Sequence, residues 1–544
     1  MINAQGAFMN PLIPQRVRPD RWCLPLVLMI PCGLISCQPA APVGQHSIQT
    51  RTESAATEPS QTTDAQIVAF CGGCHAFPSP TSFPKSAWYD EVKRGFGFYH
   101  QSQRKDLNPP PVQPVVDYFR SRAPEALPQN VAQSFPNPPR IHFRRTEVSI
   151  PQNGSSTLKP PAISFIGPGK HTKGGEQGVL FSDMANGTVS LATFQSHSVQ
   201  SNSFPVTPLV QLQHPAAARQ CDLDQNGRMG LVMAELGSFT PGDHDQGRVM
   251  WLADLESSGS TAVPLCEGIG RVADVQPADF DGDGDLDLIV AEFGWHQTGG
   301  IFWLENQGKT KSPQFIPHPI DPRPGTIQVP VVDLNQDGKP DFVAIISQEF
   351  EVIEAFFNQG DGTFLKKTIH AAGDPSFGSS GIQLADLDGD GDQDVVYTNG
   401  DMFDSFLIKP YHGVQWLENQ GSFPFVLHPF TPFPGAHRAI AGDLDQDGDL
   451  DLIAGSFLPG SVRESEIGKQ LESLIWLEQT RPGEFVRHAL ETGNAMHATL
   501  ELIDLDGDGD LDLVTGSFRD RGSVDQSAIT IWWNELSPPG SRQF

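Results

Sequence analysis

Basic charge is what this sequence lacks most. Lys and Arg number 36 against 65 Asp and Glu, a formal net charge of −29. That balance excludes the basic face that nucleic-acid binding requires. Charged residues still make up only 19% of the chain, too few for a disordered acidic tail. Long apolar runs are also missing. WCLPLVLMIPCGLIS has about 15 residues, short of the roughly 20 that cross a bilayer. Methionine is absent from residue 30 to 183, which matters below for a metal ligand. What is abundant is Gly (53) and Pro (47), enough turn residues for many short strands, with nine Trp and 34 Phe to fill a large core.

The N-terminus reads as an address. Arg16, Arg18 and Arg21 precede the apolar run, as in a signal peptide, and translation starts at Met1 or Met9. The run ends in LISC, residues 34 to 37, which resembles the lipobox of bacterial lipoproteins. That resemblance implies a signal over 1–36 and a lipid on Cys37. The alternative is an ordinary signal with an incidental cysteine. The expected location is outside the cytoplasm, in the cell envelope (periplasm or cell surface), with the membrane reached through the lipid. Cys23 and Cys32 leave with the signal, Cys71 and Cys74 share a motif, and Cys221 and Cys266 remain as either a pair or two free thiols.

Three segments follow. Residues 37–63 have almost no large apolar side chains and read as a flexible tether. Residues 64–127 carry helical patterns, including Trp88, Val92, Phe96 and Tyr99 on one stripe. Residues 140–544 are a repeat. Acidic loops begin at Asp222, Asp279, Asp333, Asp386, Asp443 and Asp504, at spacings of 57, 54, 53, 57 and 61. Each period holds an acidic loop, an apolar strand, a strand with WLEN or its like, and a strand ending near a histidine. With the strand entering the loop, that makes four strands per unit, as in propeller blades. About 400 residues at this period make seven blades, so one lacks an acidic loop, and residues 160–200 with their Asn-Gly turn are the candidate. The last repeat lacks an outer strand, which residues 141–150 can supply by closing the ring. The expected fold is mainly β, a seven-bladed β-propeller preceded by a small all-α domain.

Oxygen-bearing residues fall at odd positions of each acidic loop, with glycine at position 6, an arrangement suited to calcium. An EF-hand needs Glu at position 12, where these loops have Val290, Ala344, Tyr397, Ala454 and Thr515. Loops of this form before an apolar strand resemble the FG-GAP or VCBS repeats of integrin-α-type propellers. The resemblance implies calcium held by positions 1, 3, 5 and 9 and by the carbonyl of position 7. Those positions are Asp279, Asp281, Asp283, Asp285 and Asp287; Asp333, Asn335, Asp337, Lys339 and Asp341; Asp386, Asp388, Asp390, Asp392 and Asp394; Asp443, Asp445, Asp447, Asp449 and Asp451; Asp504, Asp506, Asp508, Asp510 and Asp512. The first copy departs, with Asn226 at position 5 and Gly230 at position 9, and is expected to bind weakly or not at all. The expected role of calcium is structural, since clustered carboxylates repel one another without a cation.

CGGCH occupies residues 71–75. In an exported protein this reads as covalent attachment of haem c, with thioethers from Cys71 and Cys74 and an axial His75. The segment resembles a very small cytochrome c domain. Zinc or a plain disulfide are the alternatives, although a zinc site would need two further ligands. With no methionine near, His100 is the candidate sixth ligand, and an exposed histidine at a helix end is its alternative. Pro78 and Pro80 offer carbonyls to the ring N–H of His75.

The histidines that recur at blade period (His318, His370, His428, His488) are expected to pack. His437, Arg438, Met496 and His497 are candidates for a channel mouth. No Ser-His-Asp or paired-carboxylate constellation stands apart from the acidic loops, so an electron carrier or binding protein is expected rather than a hydrolase. The expected partner is a redox protein, a glycan or a surface component. The rival readings are an adhesion or scaffold propeller with a non-redox CxxCH unit, and a propeller dehydrogenase feeding its own haem.

Overall fold

The computed structural model describes residues 62–128, 132, 134–135, 141–150, 159–170, 177–194, 204–256, 261–308, 313–519 and 527–536. The expected signal, the expected lipidation residue Cys37 and nearly all of the expected tether lie outside the described residues.

Three helices come first: α1 (Asp64–Cys71), α2 (Trp88–Gln101) and α3 (Val112–Arg122). Thr63 and Gln66 form a capping box that starts α1, each side chain taking the other's backbone N–H. Pro111 precedes α3, where its lack of an N–H is harmless. Trp88 and Val92 of the α2 stripe are buried with Ile67, Val115, Val116 and Phe119, and Trp88 stacks on Phe119 at 4.1 Å.

Seven antiparallel sheets follow, arranged as blades. Blade 1 starts at Ile163, and its Asn186-Gly187 turn joins the second strand to the third. Blades 2 to 7 start at Pro215, Val272, Thr326, Ser379, Ala436 and His497. In blades 2 to 7 the second strand is wholly buried, which is why it reads as a continuous apolar run. The inner strand of blade 4 is broken into Thr326–Gln328 and Val331–Val332, because Pro330 between them has no N–H to give to the ladder. The outer strand of blade 7 is Phe143–Ser149, paired antiparallel with Ser527–Asn534 from Phe143↔Asn534 to Ser149↔Ser527. The ring is therefore closed by both ends of the propeller segment. Ile163, Phe181, Val514, Ile529 and Trp533 bury the seam between blades 7 and 1.

Strand alternation sorts the loops onto two faces. Acidic loops join inner to second strands on one face. The loops between second and third strands, and the turns from blade to blade, lie on the other. The helical unit sits on that second face, against loops of blades 3, 4 and 5. Ahead of the closing strand the chain crosses blade 6, where the Phe135 N–H donates to the Arg487 carbonyl at 2.8 Å.

Candidate functional site

In the acidic loops the position-6 glycine takes a left-handed conformation, with φ +92° at Gly284 and +98° at Gly509, and donates its N–H to the position-1 aspartate. The loop thereby curls around one centre. In four loops three aspartate oxygens lie within 4.8 Å of one another: Asp279, Asp281 and Asp287; Asp386, Asp388 and Asp390; Asp443, Asp445 and Asp447; Asp504, Asp506 and Asp508. Both carboxylate oxygens of Asp285, and one each of Asp449, Asp506 and Asp510, are buried without a hydrogen-bond partner. The clustered aspartate oxygens of these four loops, with the orphaned buried oxygen of Asp506 among them, fit a hard cation such as calcium. In blade 4 the loop has Asn335 at position 3, and the Lys339 ammonium sits 2.9 Å from Asp337. In blade 2 Asn226 turns back onto Asp224 and Asp222, and Arg228 pairs with Asp254.

The position-9 aspartates have a further role that sequence reading missed. Asp287 accepts the N–H of Phe280 on one oxygen (3.1 Å) and that of Asn306 on the other (2.7 Å). Asp341, Asp394, Asp451 and Asp512 repeat this with Leu334 and Asn358, Leu387 and Asn419, Leu444 and Gln479, Leu505 and Asn534. The amides at the end of the third strand then reach back one blade: Asn358 to the Phe280 carbonyl, Gln479 to Leu387, Asn534 to Leu444. The signal for this was present, because Asn or Gln follows Trp-Leu-Glu at blade period. Burial raises these carboxyls, to about 7 at Asp287, about 6 at Asp394 and about 8 at Asp451 and Asp512.

The recurring histidines pack against the blade tryptophans, His318 on Trp303, His428 on Trp416 and His488 on Trp476, at 4.7–4.9 Å. Each also meets a glutamate one strand away, Glu305, Glu418 or Glu478. His370 is set against Tyr397 instead.

The four channel-mouth candidates do not form one open cluster. His497 is buried, with Glu491 at 2.6 Å. The His437 ring bonds the Ala498 carbonyl of the next blade. Arg438 donates to the Ile382 carbonyl of the preceding blade at 2.6 Å, and Met496 bridges to Phe457. All four tie blades together.

CGGCH ends α1. Cys71 and Cys74 are free thiols, raised by burial, Cys71 to about 11. The His75 Nδ1 lies 2.7 Å from the Ala76 carbonyl, which sets the ring tautomer and leaves Nε2 to ligate. Pro78 and Pro80, the carbonyls expected for this role, are not used, and the Pro80 carbonyl takes the Trp88 indole N–H instead (3.0 Å). Two unpaired thiols and a histidine with Nδ1 already engaged fit haem attachment. The aspartate loops supply every metal-capable group of three or more side chains among the described residues, and none includes these three. His100 is exposed on the last turn of α2, its ring 5.5 Å from that of Tyr99. Cys221 is likewise a free thiol, buried in the second blade.

Two residues outside the repeats hold the helical unit down. Asp374 accepts the Ser79 N–H at 3.1 Å and the Ser82 hydroxyl. Lys409 is buried, donates to the Ser376 carbonyl and lies over the Phe83 ring at 4.4 Å. Gly73 is bonded by Arg104, itself paired with Asp106.

The family model for the FG-GAP-like repeat matches residues 279–344 and 333–397, blades 3 and 4 and the start of blade 5. The chain carries FG-GAP-like repeats. Cartilage acidic protein 1 of Mus musculus is 32% identical over 167 residues, and that of Homo sapiens 29% over 168. Each alignment covers 29% of this chain, and the chain spans about a quarter of the length of these relatives (24% and 23%). Among solved structures, BBS1N in complex with ARL6DN, soaked with lead, is 12% identical with a TM-score of 0.41, over 73% of this chain and 98% of that one.

Proposed function

We propose that the protein is a calcium-stabilised binding propeller that carries a covalent haem c on the face opposite its calcium loops, and that it exchanges single electrons with a docked partner. The observation that carries this is the CGGCH turn: two free thiols and a pre-oriented histidine in a unit clamped to the propeller by Asp374 and Lys409. Cys71 and Cys74 would hold the haem through thioethers and His75 would ligate its iron, with His100 the candidate for the other side. The haem supplies one-electron chemistry. The chain's own part is to orient the His75 ring through Ala76 and to keep the unit against blades 3 to 5. The calcium ions would lie in the acidic loops of blades 3 to 7, where they offset carboxylate repulsion. Export and a lipid on Cys37 would place the whole in the cell envelope, and the partner would be a redox protein, a glycan or a surface component.

The test is a pyridine haemochrome spectrum of the full chain made in a host that matures haem c. The expected result is one covalent haem per chain, lost when Cys71 and Cys74 are both changed to Ser. A folded, calcium-replete chain without haem would falsify the redox reading. The coarser reading, a binding or scaffold propeller, rests on the FG-GAP-like repeats and would remain.

A further inference from the structure

Several half-buried or buried arginines in this propeller face carboxylates, while Arg438 is held by the Ile382 carbonyl. Arg219 meets Asp274 at 2.9 Å, Arg248 meets Glu235 at 2.6 Å, Arg323 meets Asp321 at 2.7 Å, and Arg487 meets Glu472. Arg271 breaks the pattern. It lies in the turn between the outer strand of blade 2 and the inner strand of blade 3, on the face that carries the helical unit. It is only 6% exposed, more deeply buried than any of those four. Its Nε is buried without a hydrogen-bond partner, and among the described residues no carboxylate pairs with it. Its guanidinium carbon lies 5.4 Å from the centre of the Phe293 ring.

The charged and titratable groups around it are engaged elsewhere. Asp243 accepts the N–H groups of Gln297 and Thr298 and the Thr298 hydroxyl. Glu292 accepts the Gly270 N–H. The His244 ring bonds the Ser238 hydroxyl and the Gln246 N–H. In the loop that holds Phe293, His296 has a buried Nε2 with no partner. Burial lowers Arg271 only to about 10, so it keeps its charge at neutral pH. A largely buried guanidinium whose Nε–H has no acceptor is costly to the folded state, and an oxyanion that accepts from it lowers that cost.

We infer that Arg271 anchors an anion site at the foot of the helical unit, between blades 2 and 3, and that it takes the carboxylate of a small ligand with an apolar ring. A guanidinium grips two coplanar oxygens. A single charge suits this site better than a phosphate dianion, because the whole molecule carries −29 and repels higher charge. Phe293 supplies a ring beside it, and Trp295, two residues further along the same loop, meets Phe98 of α2 edge-on. This inference does not depend on haem.

The probes are benzoate, its neutral analogue benzamide, and inorganic phosphate, titrated by calorimetry into the full, calcium-replete chain, with melting followed in parallel. Saturable benzoate binding that raises the melting temperature is expected, with benzamide and phosphate at least tenfold weaker. Arg271→Gln is expected to weaken benzoate at least tenfold and to leave the ligand-free protein as stable or more so, since it removes an unpaired buried charge. Arg271→Lys keeps the charge, loses the fork, and is expected to retain part of the affinity. Equal binding of benzoate to wild type and Arg271→Gln would overturn the site. So would a fall in the ligand-free melting temperature of Arg271→Gln, because it would mean the guanidinium is already satisfied within the protein. Phosphate binding as tightly as benzoate would overturn the carboxylate assignment. Should Arg271→Gln fail to fold, the wild-type comparison of benzoate with benzamide decides alone: no difference between them refutes the proposal.

Discussion

Within an acidic loop the carboxylates divide their work by depth. The aspartates at positions 1, 3 and 5 cluster around the proposed cation centre in three loops, mostly exposed or half-buried, while the position-9 aspartate is buried and accepts two backbone N–H groups, and in blade 3 Asp287 joins the cluster as well. Asp512→Ala leaves the Leu505 and Asn534 N–H groups without acceptors. At roughly 1–3 kcal/mol for each buried orphan, it is expected to lower the melting temperature by several degrees with or without calcium. Asp508→Ala, at exposed position 5, is expected to weaken calcium binding and leave the metal-free melting temperature unchanged. Calorimetric melts with and without chelator separate the two roles. Titration gives a second expectation. The folded-state carboxyls of Asp451 and Asp512 stand near 8, against an ordinary 3.8. Without metal the folded chain therefore binds more protons than the unfolded chain between about pH 4 and pH 8, and stability falls as pH rises through that window. Metal-free protein is expected to melt higher at pH 5 than at pH 8, and saturating calcium to flatten or reverse that slope. A metal-free melting temperature that rises with pH would show that other titrating groups outweigh these aspartates. At this scale the sequence showed which residues recur but not the direction each one faces. Asp287 and Asp283 look alike in a string of DxD, and only burial distinguishes an N–H acceptor from a surface ligand.

The blade strands were legible because every repeat wrote the same pattern. Six acidic loops marked six blades, and the Asn186-Gly187 turn marked the seventh. The α2 stripe of Trp88, Val92, Phe96 and Tyr99 was equally plain, and Trp88 and Val92 are at the centre of the helical core. What could not be read was the docking of the helices. Asp374 and Lys409 lie in segments that occur once, so periodicity says nothing about them. The one available hint was length: the loop from Gly400 to His412 is long for its place in a blade, exceeded among its counterparts only by residues 457–471 of blade 6. The His75 acceptor was misplaced for a related reason, since several carbonyls follow CGGCH and chain order does not choose among them. Asp374→Ala removes the acceptor for the Ser79 N–H and the Ser82 hydroxyl. It is expected to speed amide hydrogen exchange across residues 64–125 and leave the blades unchanged. Unaltered exchange in the helices would show that Lys409 and the aromatic contacts suffice alone.

On the scale of the whole molecule, the ring of seven and the loan of residues 141–150 to the last blade were both visible in the sequence, because the final repeat ends one strand short. The net charge of −29 was legible too, and much of it belongs to the loops rather than to a recognition surface. Ring closure also has a consequence in time. Phe143–Ser149 leaves the ribosome long before Ser527–Asn534, its partner strand; the Arg144–Glu535 pair across them spans 391 residues. Until then blades 1 and 7 cannot hide the apolar faces that meet at Ile163 and Trp533. Between those two moments the nascent propeller is an open arc with an uncovered apolar face, and the strand that closes the ring is the last of its blades to emerge.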